Sequence, residues 1–185
     1  ASTFTGIFEI YRNTNGILTK DATQNLTGFF SSALVLGDVD NDGDLDLVIT
    51  GGNLSGGVAV PKAAVFTNDG TGTFTEGQAL TGTFGGTVSL GDADNDGDLD
   101  LFLTGQDVNS NQVAILYINN TGTFSATTLS VVPGNLFSSA GWADYDNDKD
   151  LDLAVTGGTG LTFREIAQVF DNLTGKETPN SAPNS

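Results

Sequence analysis

Short apolar runs recur along the chain, rich in Val, Ile, Leu, Phe and Thr, and each is closed by a cluster of Gly, Asn, Asp or Thr. Runs of this length and composition predict β-strands, because β-branched and aromatic side chains suit a pleated, half-buried surface. In one stretch the pattern predicts strands near Ser32–Gly37, Leu45–Thr50, Ala63–Thr67 and Thr73–Ala79. No segment shows helical periodicity or helix caps.

The pattern repeats. "GDVDNDGDLDLVITGG" from Gly37 returns as "GDADNDGDLDLFLTG" from Gly91 and as "ADYDNDKDLDLAVTGG" from Ala143. The first aspartates, Asp38, Asp92 and Asp144, are 54 and 52 residues apart. An aromatic followed by an Asn-containing turn recurs at the same period: "YRNTNGIL" from Tyr11, "FTNDGTGTF" from Phe66, "YINNTGTF" from Tyr117 and "FDNLTGKE" from Phe170. A period near this length signals a solenoid, propeller or array. Four short antiparallel strands per unit make the unit a propeller-type blade, so the fold class is all-β. Residues 4–27 read as a half blade holding the last two strands, followed by blades at 28–81 and 82–133. A blade at 134–185 would have to draw its fourth strand from "KETPNSAPNS", a poor strand sequence with two prolines. That makes about three and a half blades in one repeat domain, incomplete as a monomer.

Composition narrows the chemistry. The 185 residues suffice for one domain with a sizeable core. No cysteine is present, which excludes disulfides, zinc–thiolate sites and a cysteine nucleophile. No histidine is present either, which excludes a Ser-His-Asp triad and His-ligated metals. The formal charge of −17, from 23 acidic and 6 basic residues, argues against nucleic acid or an anionic membrane surface as partner. No apolar stretch approaches the roughly 20 residues that span a bilayer. The chain opens Ala-Ser-Thr with no signal peptide, as expected of a processed product or an excised part of a longer one.

The charge is concentrated. Fifteen of the 23 acidic residues lie in the three repeated loops, where their mutual repulsion opposes folding unless a cation offsets it. The spacing D-x-D-x-D-G-x-x-D projects carboxylates inward from positions 1, 3 and 5, turns sharply at the position-6 glycine, and offers a carbonyl at 7 and a further carboxylate at 9. Several hard oxygens around a small cavity suit Ca²⁺ better than Mg²⁺. The expected ligands are Asp38, Asp40, Asp42 and Asp46 with the Asp44 carbonyl; Asp92, Asp94, Asp96 and Asp100 with the Asp98 carbonyl; and Asp144, Asp146, Asp148 and Asp152 with the Asp150 carbonyl. Three bound ions would bring the formal charge to about −11. A solvated acidic turn is the plain alternative, and three copies in register argue against it. The loops are not EF-hands, because position 12 holds Ile49, Leu103 and Val155 instead of Glu. Lys149 replaces glycine at position 6 of the third loop, so the third site is expected to be the weakest.

These loops resemble the FG-GAP or VCBS-type repeat of integrin α-subunit propellers and secreted bacterial proteins. "FGG" at Phe84–Gly86 echoes the Phe-Gly element, while "TGG" at Thr50–Gly52 and Thr156–Gly158 stands where Gly-Ala-Pro would be, which places the likeness nearer the bacterial type. The resemblance implies Ca²⁺ between the first two strands of each blade, a ring of about seven blades, and a place outside the cell or at its surface. With half that number here, the chain is expected to pair with itself, as a closed dimer or a head-to-tail filament, or to be a segment of a longer propeller.

The function expected is a Ca²⁺-stabilised structural module that self-assembles, with an adhesive or lectin-like module binding glycan or protein as the alternative. Catalysis is not expected, since nearly all paired carboxylates are committed to the loops. Trp142 aligns with Leu36 and Leu90 and reads as core, while Tyr145 is a weak carbohydrate-contact candidate. Arg12 and Arg164 are candidates for ion pairs, and Asn25, Asn53, Asn119 and Asn172 begin sequons that arise easily by chance in such a composition.

Overall fold

A computed structural model describes residues 6–24, 26–55, 58–129, 132–159 and 164–172. The described residues form strands and no helix. The first sheet holds β3 (Phe30–Gly37), β4 (Asp46–Ser55), β5 (Val58–Asn68) and β6 (Phe74–Leu80). These meet the four strands read from the pattern, with β4 and β5 running further outward than expected. The second sheet holds β7 (Val88–Gly91), β8 (Asp100–Gln106), β9 (Gln112–Asn120) and β10 (Thr123–Thr128). A third has β11 (Leu136–Ala143), β12 (Asp152–Thr159) and β13 (Arg164–Phe170). Each is an antiparallel meander in sequence order. The fourth strand sought in "KETPNSAPNS" lies outside the described residues.

A two-stranded hairpin, β1 (Tyr11–Thr14) and β2 (Ile17–Lys20), precedes the first sheet. The segment 7–10 aligns with the body of a third strand, yet it makes only the bridge Ile7–Phe29. The reason is topological: in the other sheets that strand pairs with a second strand, and none precedes β1 among the described residues. Arg12 fastens the hairpin by an ion pair to Asp21 at 2.8 Å and a hydrogen bond to the Thr71 carbonyl at 3.2 Å. The Arg164 side chain is not among those described.

The sheets stack face to face. Leu101 and Leu103 of β8 point back with Val88 and Ile115 onto Val48, Ala63 and Val65 of the first sheet. Phe102, between them on the strand, points the other way onto Leu153 and Val155 of β12. Alternation on β8 thus serves two cores at once, as expected of a sheet buried on both faces. The hairpin side has its own core, where Phe8 and Leu26 cover Phe29, Leu47, Ile49 and Phe66. Trp142 belongs to the junction of the second and third sheets, edge-on to Phe102 with centroids 6.5 Å apart. The described sheets do not close into a ring.

Candidate metal centre

Each acidic loop joins the first two strands of its sheet. Its shape is set by left-handed residues: Asn41 and Gly43 (φ 61° and 94°), Asn95 and Gly97 (61° and 96°), Asn147 and Lys149 (66° and 85°). Asparagine and glycine tolerate this region, whereas lysine is strained there. The turn aims backbone N–H groups at the first aspartate. Asp38 accepts from Asp42 and Gly43 at 3.1 and 3.0 Å; Asp92 from Asp96 and Gly97 at 3.1 and 3.0 Å; Asp144 from Asp148 and Lys149, both at 3.1 Å.

The folded loops gather carboxylates. In the first, Asp38, Asp40 and Asp42 each place an oxygen within 4.8 Å of the others, and Asp92, Asp94 and Asp96 do the same in the second. The third loop gathers Asp144, Asp146 and Asp152. The position-3 aspartate feels this in all three. Burial, then the charges of Asp46 and Asp42, push the Asp40 carboxyl above its ordinary value. Burial and Asp96 raise Asp94, and burial and Asp148 raise Asp146. The donor set is carboxylate oxygen throughout, the chemistry of a hard cation, so the residues present fit Ca²⁺.

Position 9 also bonds to its own sheet. Asp46, Asp100 and Asp152 are buried. Each uses one oxygen for the N–H of position 2, at 3.1, 2.7 and 3.1 Å. The other oxygen accepts from the asparagine ending the third strand, Asn68, Asn119 or Asn172, at 2.8, 2.8 and 2.9 Å. This residue therefore staples the loop to its sheet, a role the spacing does not reveal. Burial raises the Asp100 carboxyl, opposed by those two backbone hydrogen bonds. The position-7 carboxylates reach toward neighbours: Asp98 accepts from Asn41 of the preceding loop at 2.6 Å, and Asp150 from Asn95 at 2.5 Å.

The comparisons with known proteins agree with this architecture. Residues 92–155, from the first aspartate of the second loop to the strand after the third, match the model of the FG-GAP-like repeat family. Over these residues the chain is similar to an FG-GAP-like repeat. No curated protein matches it.

The matched FG-GAP-like repeat spans the second and third loops, which differ at positions 2 and 6. The third has an extra carboxylate, because Asp171, just after β13, joins Asp146 and Asp148 within 4.8 Å. The signal was present in the turn repeat, where the corresponding residues are the uncharged Thr67 and Ile118. Tyr145 is 55% exposed at the rim of this loop. Of the sequon asparagines, Asn25 lies outside the described residues. The Asn119 amide is committed to the carbonyls of Val39 and Leu99 at 2.8 and 3.1 Å, and that of Asn172 to Ala93 at 2.6 Å.

Proposed function

We infer that the chain is a Ca²⁺-stabilised structural module that assembles with copies of itself outside the cell. The observation that carries this reading is the threefold gathering of carboxylates at the same place in successive sheets. Such clusters repel, and a bound cation offsets that repulsion alongside the backbone donors. When bound, Ca²⁺ supplies positive charge and oxygen coordination to each loop. The chain's residues supply the rest: positions 1 and 3 face the ion in each loop, joined by position 5 in the first two and by Asp152 in the third; position 9 also ties the loop to its sheet, and position 7 of the second and third loops ties each to the loop before it. A metal site so placed stiffens the junctions between sheets, which is a mechanical role and not a catalytic one.

Two further facts support this reading. Repeats of this family are typical of extracellular or surface proteins. Among the described residues no helix is long and apolar enough to cross a membrane. Assembly is supported by the exposed faces of β3, at Leu34 and Leu36, and of β12, at Ala154 and Thr156. The test is sedimentation velocity in millimolar Ca²⁺ and again in excess chelator. Assembly predicts a species larger than one chain that shrinks on chelation. A single-chain species under both conditions overturns it.

A further inference from the structure

Both junctions between neighbouring sheets use the same contacts, and these run in one direction. The position-4 asparagine of one loop donates to the position-7 aspartate of the next: Asn41 to Asp98, and Asn95 to Asp150. The asparagine ending the later sheet's third strand donates back to a position-2 carbonyl: Asn119 to Val39, and Asn172 to Ala93. A directional pattern leaves unlike ends. At the third sheet the Asn147 amide has no acceptor among the described residues, and the Tyr145 carbonyl lacks the asparagine that Val39 and Ala93 receive. At the first sheet, among the described residues, Asp44 receives no asparagine as Asp98 and Asp150 do, and the Asn68 amide donates to the Leu45 carbonyl of its own loop at 3.1 Å and to no other sheet. The missing halves are complementary, and both are on this chain.

The apolar surfaces agree. Leu34 and Leu36 of β3 are 56% and 52% exposed, whereas their counterparts Val88 and Leu90 are covered by the preceding sheet. On this face Phe8 and Leu26, flanking the hairpin, cover Leu47 and Ile49 and leave a notch over Leu34 and Leu36. The segment 7–10 borders it and is bridged, among the described residues, at Ile7–Phe29. At the other end, Ala154 and Thr156 of β12 are exposed, while the equivalent Phe102 and Thr104 of β8 are buried.

We propose that the notch beside β3 receives the β11–β12 hairpin of a second copy, whose Asn147 donates to Asp44 and whose Tyr145 carbonyl accepts from Asn68. This rests on the self-assembly reading and gives it a register. Segment 7–10 then takes the place beside β12 that β13 holds within one chain. β13 is the third strand least held: none of its described side chains is buried, whereas β5 and β9 each bury four residues. One detail sets the fit. A Cβ at Gly37 or Gly91 would come within 2.5 Å of Leu90 or Trp142 on the next sheet, but the third copy has Ala143 at this position. Its methyl meets Leu36, whose flexible end turns aside where an indole would not.

The absence of native cysteine makes a direct test available. Chains carrying Asp44→Cys and chains carrying Asn147→Cys are mixed in Ca²⁺ and mildly oxidised. The intrachain pair Asn41→Cys with Asp98→Cys, at the equivalent internal contact, calibrates the reach. The junction predicts a mixed disulfide dimer forming at least about tenfold faster than between Asp44→Cys and the remote Ser110→Cys. Cross-linking no faster than that control overturns the junction. Sedimentation of the unmodified chain separates the two failures. An oligomer without the cross-link sinks this register and leaves self-assembly standing, whereas a single-chain species throughout sinks both.

Discussion

The second and third acidic loops share a motif but not an environment. The second lies in a sheet covered on both faces, and every residue from Asp100 to Thr104 is buried. The third lies in a sheet covered on one face, where Leu153 and Val155 are buried and Ala154 and Thr156 are exposed. The second turns at Gly97, the third at Lys149, with nearly the same left-handed backbone. The motif chooses the donor atoms, and the neighbouring sheets decide how rigidly those donors are held. Asp171 adds a carboxylate to the third loop, so the third site gathers more negative charge than the second.

The strongest way to break this comparison is at the strand between the cores. Phe102→Ala should cost about 3–5 kcal/mol, since it empties a fully buried position facing the third sheet. The aligned Ala154→Ser should stay within about 0.5 kcal/mol, because that face is open. Denaturant unfolding in Ca²⁺ measures both, and equal costs would mean that the third sheet is as enclosed as the second. Next in size is the position-9 staple. Asp100→Ala leaves two backbone donors unpaired, those of Ala93 and Asn119, and should cost about 3 kcal/mol. Asp152→Ala should cost about half as much, since water reaches the exposed Tyr145 more readily.

Exchanging the turn residues sharpens the comparison further. Lys149→Gly should stabilise the chain by about 1 kcal/mol and tighten the third site, and Gly97→Lys should do the opposite at the second. Calcium titrations of the two variants check this, and unchanged affinities would show that the turn does not limit the third site.

The smallest effect is the pH dependence without metal. Asp94 and Asp146 have carboxyls raised above the ordinary 3.8, so in that window the folded chain binds more protons than the unfolded one. Their contribution therefore grows as pH falls through the raised values and is complete below 3.8. Asp21 acts oppositely. Hydrogen bonds from Thr23 and then Arg12 hold it down at about 2, so its contribution is present above 3.8 and lost as pH falls toward 2. Melting temperature against pH in chelator should rise first and then fall, and Asp21→Asn should flatten the fall.

Much of this was legible because the chain repeats. Three copies of one spacing put the loops in register, and the short apolar runs at Leu45–Thr50 and Ala63–Thr67 located β4 and β5. What was not legible depends on distances between sheets. Nothing in the spacing shows that Asn41 reaches Asp98, or that Asp46 spends both oxygens on backbone donors, since those partners are 57 residues away for Asn41 and 7 and 22 away for Asp46. The segment 7–10 shows the converse limit, a strand-like pattern that makes one bridge among the described residues.

The central claim is that a divalent cation holds these carboxylates together, and calorimetric titration of the metal-free chain with Ca²⁺ tests it most directly. The account predicts about three equivalents bound, two tight and one weaker, with the weaker one lost in Asp144→Asn. A titration that gives no saturable heat, with a melting temperature unchanged by millimolar Ca²⁺, would contradict it and leave the loops as acidic turns.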